Sequence, residues 1–283
     1  MRLDIDGRNC ELESGRSILD AVKKEGLDSI MLSDRPLAAQ IGGEVFNLRF
    51  TPKKDTQIHL LRYGEDMGRR VYERTLQFLF ILAMRKEFPR ARVCVRYSLG
   101  PGLFITVDGM EEPFNEEAAL KVETEMRRLV RLKLPLERRR ISIKEALSFY
   151  EQDGQADKAK LLKWRRFSYF DVYQIDGYMD YFYGEMAPDT SYADVFRVKY
   201  VHDGAVVLLM PRSDAPDVPS DYVDLPKLHA VFHQSDEWGK LMECATVNDL
   251  NTHIQNGTIR ELVRINEALH DLSLIHISEP TRH

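Results

Sequence analysis

Cysteine is scarce in this chain. Cys10, Cys94 and Cys244 are the three present in 283 residues, and no two form a CxxC pair. That argues against a disulfide framework and for a reducing, cytoplasmic compartment. Long apolar runs are also missing. The longest, Phe78 to Met84, falls far short of the roughly 20 residues that cross a bilayer, so no membrane partner is expected. The opening MRLDIDGRN is strand-like and carries acid, which does not suit a signal peptide. No GxxxxGK[ST] occurs in residues 1–271, so no backbone cradle for a triphosphate is visible. SLGPGL at 98–103 has two glycines but no lysine and reads as a strand turn. An excess of positive charge is absent too. The net charge of −5 argues against a generally basic nucleic-acid binder. No internal repeat or low-complexity tract stands out.

What is there is a globular composition, 43% hydrophobic and 30% charged, and enough chain for about two domains. Leu3 and Ile5 alternate with polar residues, Asp6-Gly7 marks a turn, and Cys10 to Leu12 returns as a hairpin. Ser17 caps a helix with Ile18, Leu19 and Val22 on one face, ending at Gly26. Leu37 to Ile41, a Gly42-Gly43 turn, Val45 to Leu48 and Thr56 to Leu61 supply further strands. Two strands, a helix and more strands is the order of a ubiquitin-like β-grasp over residues 1–62.

From about Tyr63 the pattern changes. Arg69 to Phe88 predicts one long helix, apolar nearly all round and so buried by a sheet. Val93 to Ser98 and Leu103 to Val107 predict strands. Asn115, with Glu116 and Glu117 behind it, starts a helix that Pro135 ends. Ser142 and Glu145 fit a capping box for a helix to about Gln152. Phe167 to Tyr173 predicts a strand. Val195 to Val201 and Ala205 to Met210 flank an Asp203-Gly204 hairpin signal. Pro211 to Pro226 reads as a surface loop and 227–271 as a helical connector. The fold class expected is α+β: a β-grasp over 1–62, a two-layer α/β domain over 63–226, and the connector.

Several groups of residues could carry function. Arg127, Arg128, Arg131, Lys133, Arg138, Arg139 and Arg140 lie in a run with a single acid, Glu137. They suit a phosphate backbone, but a solvated face balanced by Glu116, Glu117, Glu123 and Glu125 is favoured, because charge runs are usually solvated. Lys163, Arg165 and Arg166 flank Trp164, a second basic spot with a stacking ring. The aromatic residues between Tyr169 and Tyr183 suit either a stacking platform or core strands, and strands are favoured by aromatic side chains in general. Asp176, Asp180, Glu185 and Asp189 are spaced too irregularly for acid/base work and read as turn and rim residues. His229 and His233 share a helix face, but no third ligand stands at a standard spacing, so no metal is expected.

Residues 1–62 resemble a TGS domain, the β-grasp module that opens threonyl-tRNA synthetase and occurs in some GTPases. The resemblance lies in the Asp6-Gly7 hairpin, ESGRSILDAV, AAQIGGEVFNL and KDTQIHLL. Residues 67–210 resemble the editing domain of that synthetase, through LPLERRRISIKEALSFYEQDG, LAMRKEFP and DYFYGEMAPDT. That domain carries HxxxH and CxxxH. Matching the helix end and GEMAP to it puts these four positions at Arg74, Phe78, Phe182 and Met186. Phe and Met cannot bind zinc as His and Cys do, and Arg is neither a neutral ligand nor a base. The resemblance therefore implies an editing scaffold without catalytic residues.

EWGKLMECATVNDLNTHIQNGTIRELVRINEALHD resembles the helical connector of a bacterial uridine kinase-type family. In that family a TGS domain and a degenerate editing domain precede a kinase domain. The resemblance implies a non-catalytic, regulatory or RNA-sensing half of a nucleoside kinase. Its partner in cis would be a kinase domain beyond residue 271, using ATP and Mg²⁺; no cofactor is expected in the chain itself. An RNA- or tRNA-binding module is the alternative, and a free-standing deacylase of mischarged tRNA a further one. Leu272 to His283, LSLIHISEPTRH, resembles a translated sequencing-library adapter and is expected to be foreign to the protein.

Overall fold

The computed structural model describes residues 1–202 and 204–278; Asp203 of the hairpin signal and the last five residues of the adapter-like tail lie outside the described residues. Two compact units are present. One comprises Met1–Arg139 with Asp171–Val223, the other Arg140–Phe170 with the chain from Asp224 onward.

In the first unit, β1 (Arg2–Ile5), β2 (Arg8–Glu11), α1 (Ile18–Lys24), β3 (Ala38–Ile41), β4 (Glu44–Phe46) and β5 (Thr56–Leu61) build the β-grasp. Its sheet runs β2-β1-β5-β3-β4, with β1 parallel to β5 and the other neighbours antiparallel. The β1–β2 turn needs positive φ at both central residues, and Asp6 (49°) and Gly7 (83°) supply it. Ser17 and Asp20 form a reciprocal capping box at α1. Ile18, Leu19 and Val22 close on Leu3, Ile5, Ile58 and Leu60 in one apolar core.

The chain continues as α2 (Asp66–Glu87), β6 (Arg92–Leu99), β7 (Gly102–Asp108) and α3 (Glu116–Leu132). Half of α2 is buried, including Val71, Leu76, Phe78, Phe80 and Met84, and it lies alongside α3. SLGPGL is the turn of the β6–β7 hairpin. Gly102 has no room for a side chain there, because a Cβ would stand 2.6 Å from Val207 Cγ1. Asn115 Oδ1 accepts from Ala118 N to start α3, and Lys133 ends it at φ 51°, two residues before Pro135.

β8 (Glu137–Ser142) leads to α4 (Ile143–Gln152) and α5 (Ala156–Leu162) of the second unit; β9 (Tyr169–Ile175) follows. β10 (Tyr178–Asp180), β11 (Arg197–His202), β12 (Ala205–Leu209), β13 (Pro211–Arg212) and β14 (Ala215–Pro219) complete the strands. The sheets are β10-β9-β8, the antiparallel β11-β12-β7-β6, and the β13-β14 pair. The α+β class expected from the sequence therefore holds.

Four details differ from the sequence reading. The stretch read as loop between Pro211 and Pro226 contains the β13–β14 hairpin, whose proline Pro211 faces Pro219, positions where a missing N–H is tolerated. Asp176-Gly177, with φ of 50° and 80°, turns β9 into β10, a hairpin the dense aromatics obscured. Asp180 is buried rather than at a rim, accepting from Tyr178 OH and Tyr181 N. At α4 the cap is one-sided: Ser142 Oγ accepts from Glu145 N.

In the second unit, α4 neighbours α5, α5 neighbours α7 (Val247–Asn256), and α7 neighbours α8 (Ile259–Ser278); α6 (Pro226–Leu241) lies between α5 and α7 in the chain. Thr246 and Asp249 form a capping box on α7, and Gly257 at φ 76° ends it. The backbone of α8 runs on through residue 278 without a break at Asp271. No helix of the described residues is long and apolar enough to cross a membrane.

Candidate functional site

Arg74 and Phe78 lie one turn apart on α2, and Phe182 and Met186 lie on the segment after β10. The fold brings these four positions to one place. The Phe78 ring meets Phe182 edge-on at 5.7 Å and stacks with Tyr178 at 5.8 Å. Phe78 and Met186 are fully buried. Arg74 Nε donates to Glu185 O at 2.9 Å, and its guanidinium lies where a Cβ on Gly184 would come within 3.0 Å of Cζ. Gly184, at φ 113°, is thus required by backbone and by space.

Two hydroxyls anchor the 184–187 segment, and the sequence reading missed both. Thr75 Oγ1 donates to Val71 O and accepts from Ala187 N at 2.9 Å. Tyr173 OH accepts from Met186 N at 3.2 Å and faces Glu185 Oε2 at 3.0 Å and Gly184 O at 3.2 Å. Burial pushes the Tyr173 phenol and the Glu73 carboxyl up and the Arg74 guanidinium down. The residues at the four positions do not fit a metal: a guanidinium, two phenyl rings and a thioether offer no hard or neutral nitrogen ligand. Nor is any of them a general base. Elsewhere, His229 and His233 lie on α6, and no group of three or more metal-ligating side chains occurs among the described residues.

Within the basic run some cations are paired with acids and others are not. Arg127 is bound by Glu123 (2.7 Å) and by Phe196 O, and lies over the Phe196 ring. Arg128 makes two bonds, 2.6 and 2.7 Å, to the buried carboxylate of Glu125. Arg138 bridges Asp171 (3.0 Å) and Glu185. Among the described residues Arg139 meets the neutral Gln174 Oε1, at 2.6 Å, and no acid. Arg131 and Lys133, at the end of α3, are exposed and have no acidic partner among the described residues. In the second unit Arg140 stacks on Tyr169, Arg165 lies over Phe170, and Lys163 and Arg166 are exposed. Trp164 Nε1 donates to Asn248 Oδ1 at 3.0 Å.

A cleft of about 420 Å³ in the first unit was not foreseen. Phe46, Arg49 and Phe50 of the β-grasp line it on one side, Arg138, Arg139 and Glu185 on the other. The spacing FNLRF was the only local signal, since the facing wall lies some ninety residues further on.

No protein-family model matches the chain. It is similar to threonine–tRNA ligases. The enzyme of Clostridium kluyveri is 25% identical over 194 residues, 68% of this chain and 30% of the ligase. That of Carboxydothermus hydrogenoformans is 27% identical over 175 residues, 59% of the chain and 26% of the ligase. That of Acetivibrio thermocellus is 28% identical over 160 residues, 56% and 24%. The chain thus spans less than a third of the length of the relatives it matches.

Proposed function

We propose that the chain is a cytoplasmic RNA-binding module whose partner is a structured RNA such as tRNA, and that it hydrolyses no aminoacyl ester. The observation that carries this reading is the filled pocket. On a chain similar to tRNA ligases, Phe78 packs on Phe182, Met186 is buried, Arg74 bonds Glu185 O, and none of these four side chains can activate water. The cations without acidic partners, Arg131, Lys133 and Arg139 in one unit and Lys163 and Arg166 in the other, supply phosphate contacts. The test is retention of tRNA transcripts across a salt series, run beside a deacylation time course on Ser-tRNA and Thr-tRNA. Binding at low salt with no turnover is expected. Turnover above the blank, or no retention at low salt, overturns the reading.

A second reading has one observation in its favour. Leu241 of α6, Ile254 of α7 and Ile265 of α8 are exposed apolar side chains, and such exposure suits a docked α/β domain. That domain would be the nucleoside kinase of the family resemblance, with ATP and Mg²⁺ as its ligands. The relatives named above are all threonine–tRNA ligases, so RNA binding is the reading placed first. A GxxxxGK[ST] loop encoded beyond residue 271 would decide for the kinase.

A further inference from the structure

We infer that the cleft beside Phe50 takes one unpaired base of the bound RNA, stacked on the Phe50 ring, with the adjoining phosphate on Arg139. This rests on the RNA-binding reading and adds to it the place and the single-stranded character of the contact.

The cleft has the volume of a small-ligand pocket, about 420 Å³, enough for a nucleotide. Phe50 is exposed, and Phe46 braces it at 4.5 Å between ring centroids. Its backbone is fixed on both sides: Phe50 N donates to Asn47 O at 2.9 Å, and Phe50 O accepts from Ile18 N at 3.0 Å. Asn47 is itself tied by its amide to Met186 O at 2.8 Å. The ring is therefore a preformed platform, and stacking on it orders little protein.

The charges on the cleft wall allow one phosphate and no more. Arg49 is committed to Pro188 O and, at 3.7 Å, to Asp189. Arg138 is committed to Asp171 and Glu185. Arg139 bonds a neutral amide oxygen and keeps its full charge. Glu137 and Glu185 also line the cleft and repel further phosphates. One ring beside one uncompensated cation is the repeat unit of single-strand recognition.

The experiment uses the full chain and two fluorescent RNA hairpins of the same stem, one blunt and one with a short adenosine tail at its 3′ end. Wild-type protein should bind the tailed hairpin about tenfold more tightly than the blunt one. Phe50→Ala should erase most of that gain and leave blunt-hairpin binding unchanged, Arg139→Gln should also erase most of the gain, and Phe50→Tyr should keep it. If the tail confers no gain, or if both variants bind tailed RNA as tightly as wild type, the cleft does not hold a base, although RNA binding stands. If wild type binds neither hairpin, the RNA reading falls and this inference with it.

Discussion

His59 of β5 is gripped by Asp6 of the β1–β2 turn, with Nδ1 2.8 Å from Oδ1, while its other nitrogen, Nε2, lies 2.7 Å from Glu65 Oε2. Both contacts are hydrogen bonds only when both ring nitrogens carry protons, so the arrangement selects the imidazolium. Glu65 precedes α2 and also accepts from Arg62 N, at 3.0 Å. The charged ring thus ties the first hairpin of the β-grasp to the start of the long helix.

The consequence is a stability that depends on pH around neutrality. Hydrogen bonds to Glu65 and then Asp6 raise the His59 pKa above its ordinary 6.5. The stabilisation is full below 6.5 and is lost as pH rises through the raised value. Asp6 moves the other way. Burial alone would raise it, but bonds from His59, Leu60 N and Arg62 outweigh burial and lower it, so its share is lost only on strong acidification. Thermal melts from mildly acidic to alkaline pH should therefore show Tm falling on the alkaline side, and His59→Gln should flatten that fall. Identical profiles for the two proteins would remove the latch.

The Phe78 ring contacts the rings of Tyr178 and Phe182. It is fully buried, so Phe78→Ala should cost about 3–5 kcal/mol in urea unfolding, and Phe182→Ala, on a half-buried ring, clearly less. A cost below about 1 kcal/mol for Phe78→Ala would mean that the pocket is not packed as described.

The residues of this site differ in how far the sequence could reveal them. The β-grasp was legible because its signals are local: Asp6-Gly7 for a turn with two positive φ values, Ser17 three residues before Asp20 for a helix start, Leu3 and Ile5 alternating on one face. The four positions Arg74, Phe78, Phe182 and Met186 were singled out by likeness to another family, with no local signal of their own. What escaped is non-local. Tyr173 holds Met186 N through its hydroxyl, and nothing around Tyr173 announces that. Arg138 was one of seven cations read as a run, yet its partners are distant in sequence: Asp171 on β9, which pairs with β8, and Glu185 on the segment after β10. Arg127 with Glu123 and Arg128 with Glu125 are the exceptions, i,i+4 and i,i+3 pairs visible in the sequence itself.

Those pairings alter what salt should do. A cation already neutralised by a carboxylate releases few counterions when it meets a phosphate, so Arg127, Arg128 and Arg138 should add little to the salt dependence of RNA binding. Arg131→Gln and Lys133→Gln should each flatten the slope of log K against log salt by about 0.7 to 0.9 if they touch phosphate. Arg128→Gln should instead lower stability, because it strands the buried Glu125 carboxylate. A slope that responds to Arg127→Gln and not to Arg131→Gln would reverse the assignment.

Leu241 ends α6 with 74% of its surface exposed, and α6 has no buried residue at all. Replacing it should therefore cost the fold nothing, because no apolar contact is lost on substitution. It should still change how the protein behaves at high concentration. Exposed leucine and isoleucine side chains on neighbouring helices associate when they meet, and a carboxylate among them opposes that. Leu241→Asp and Ile254→Asp, made together, should leave Tm unchanged and lower the light scattering of concentrated samples. The exposure of Leu241 and Ile254 makes the two readouts independent. A drop in Tm would show that these side chains are buried in solution. Unchanged scattering with unchanged Tm would show that the face drives no association, and with it would go the one observation that favours a docked domain.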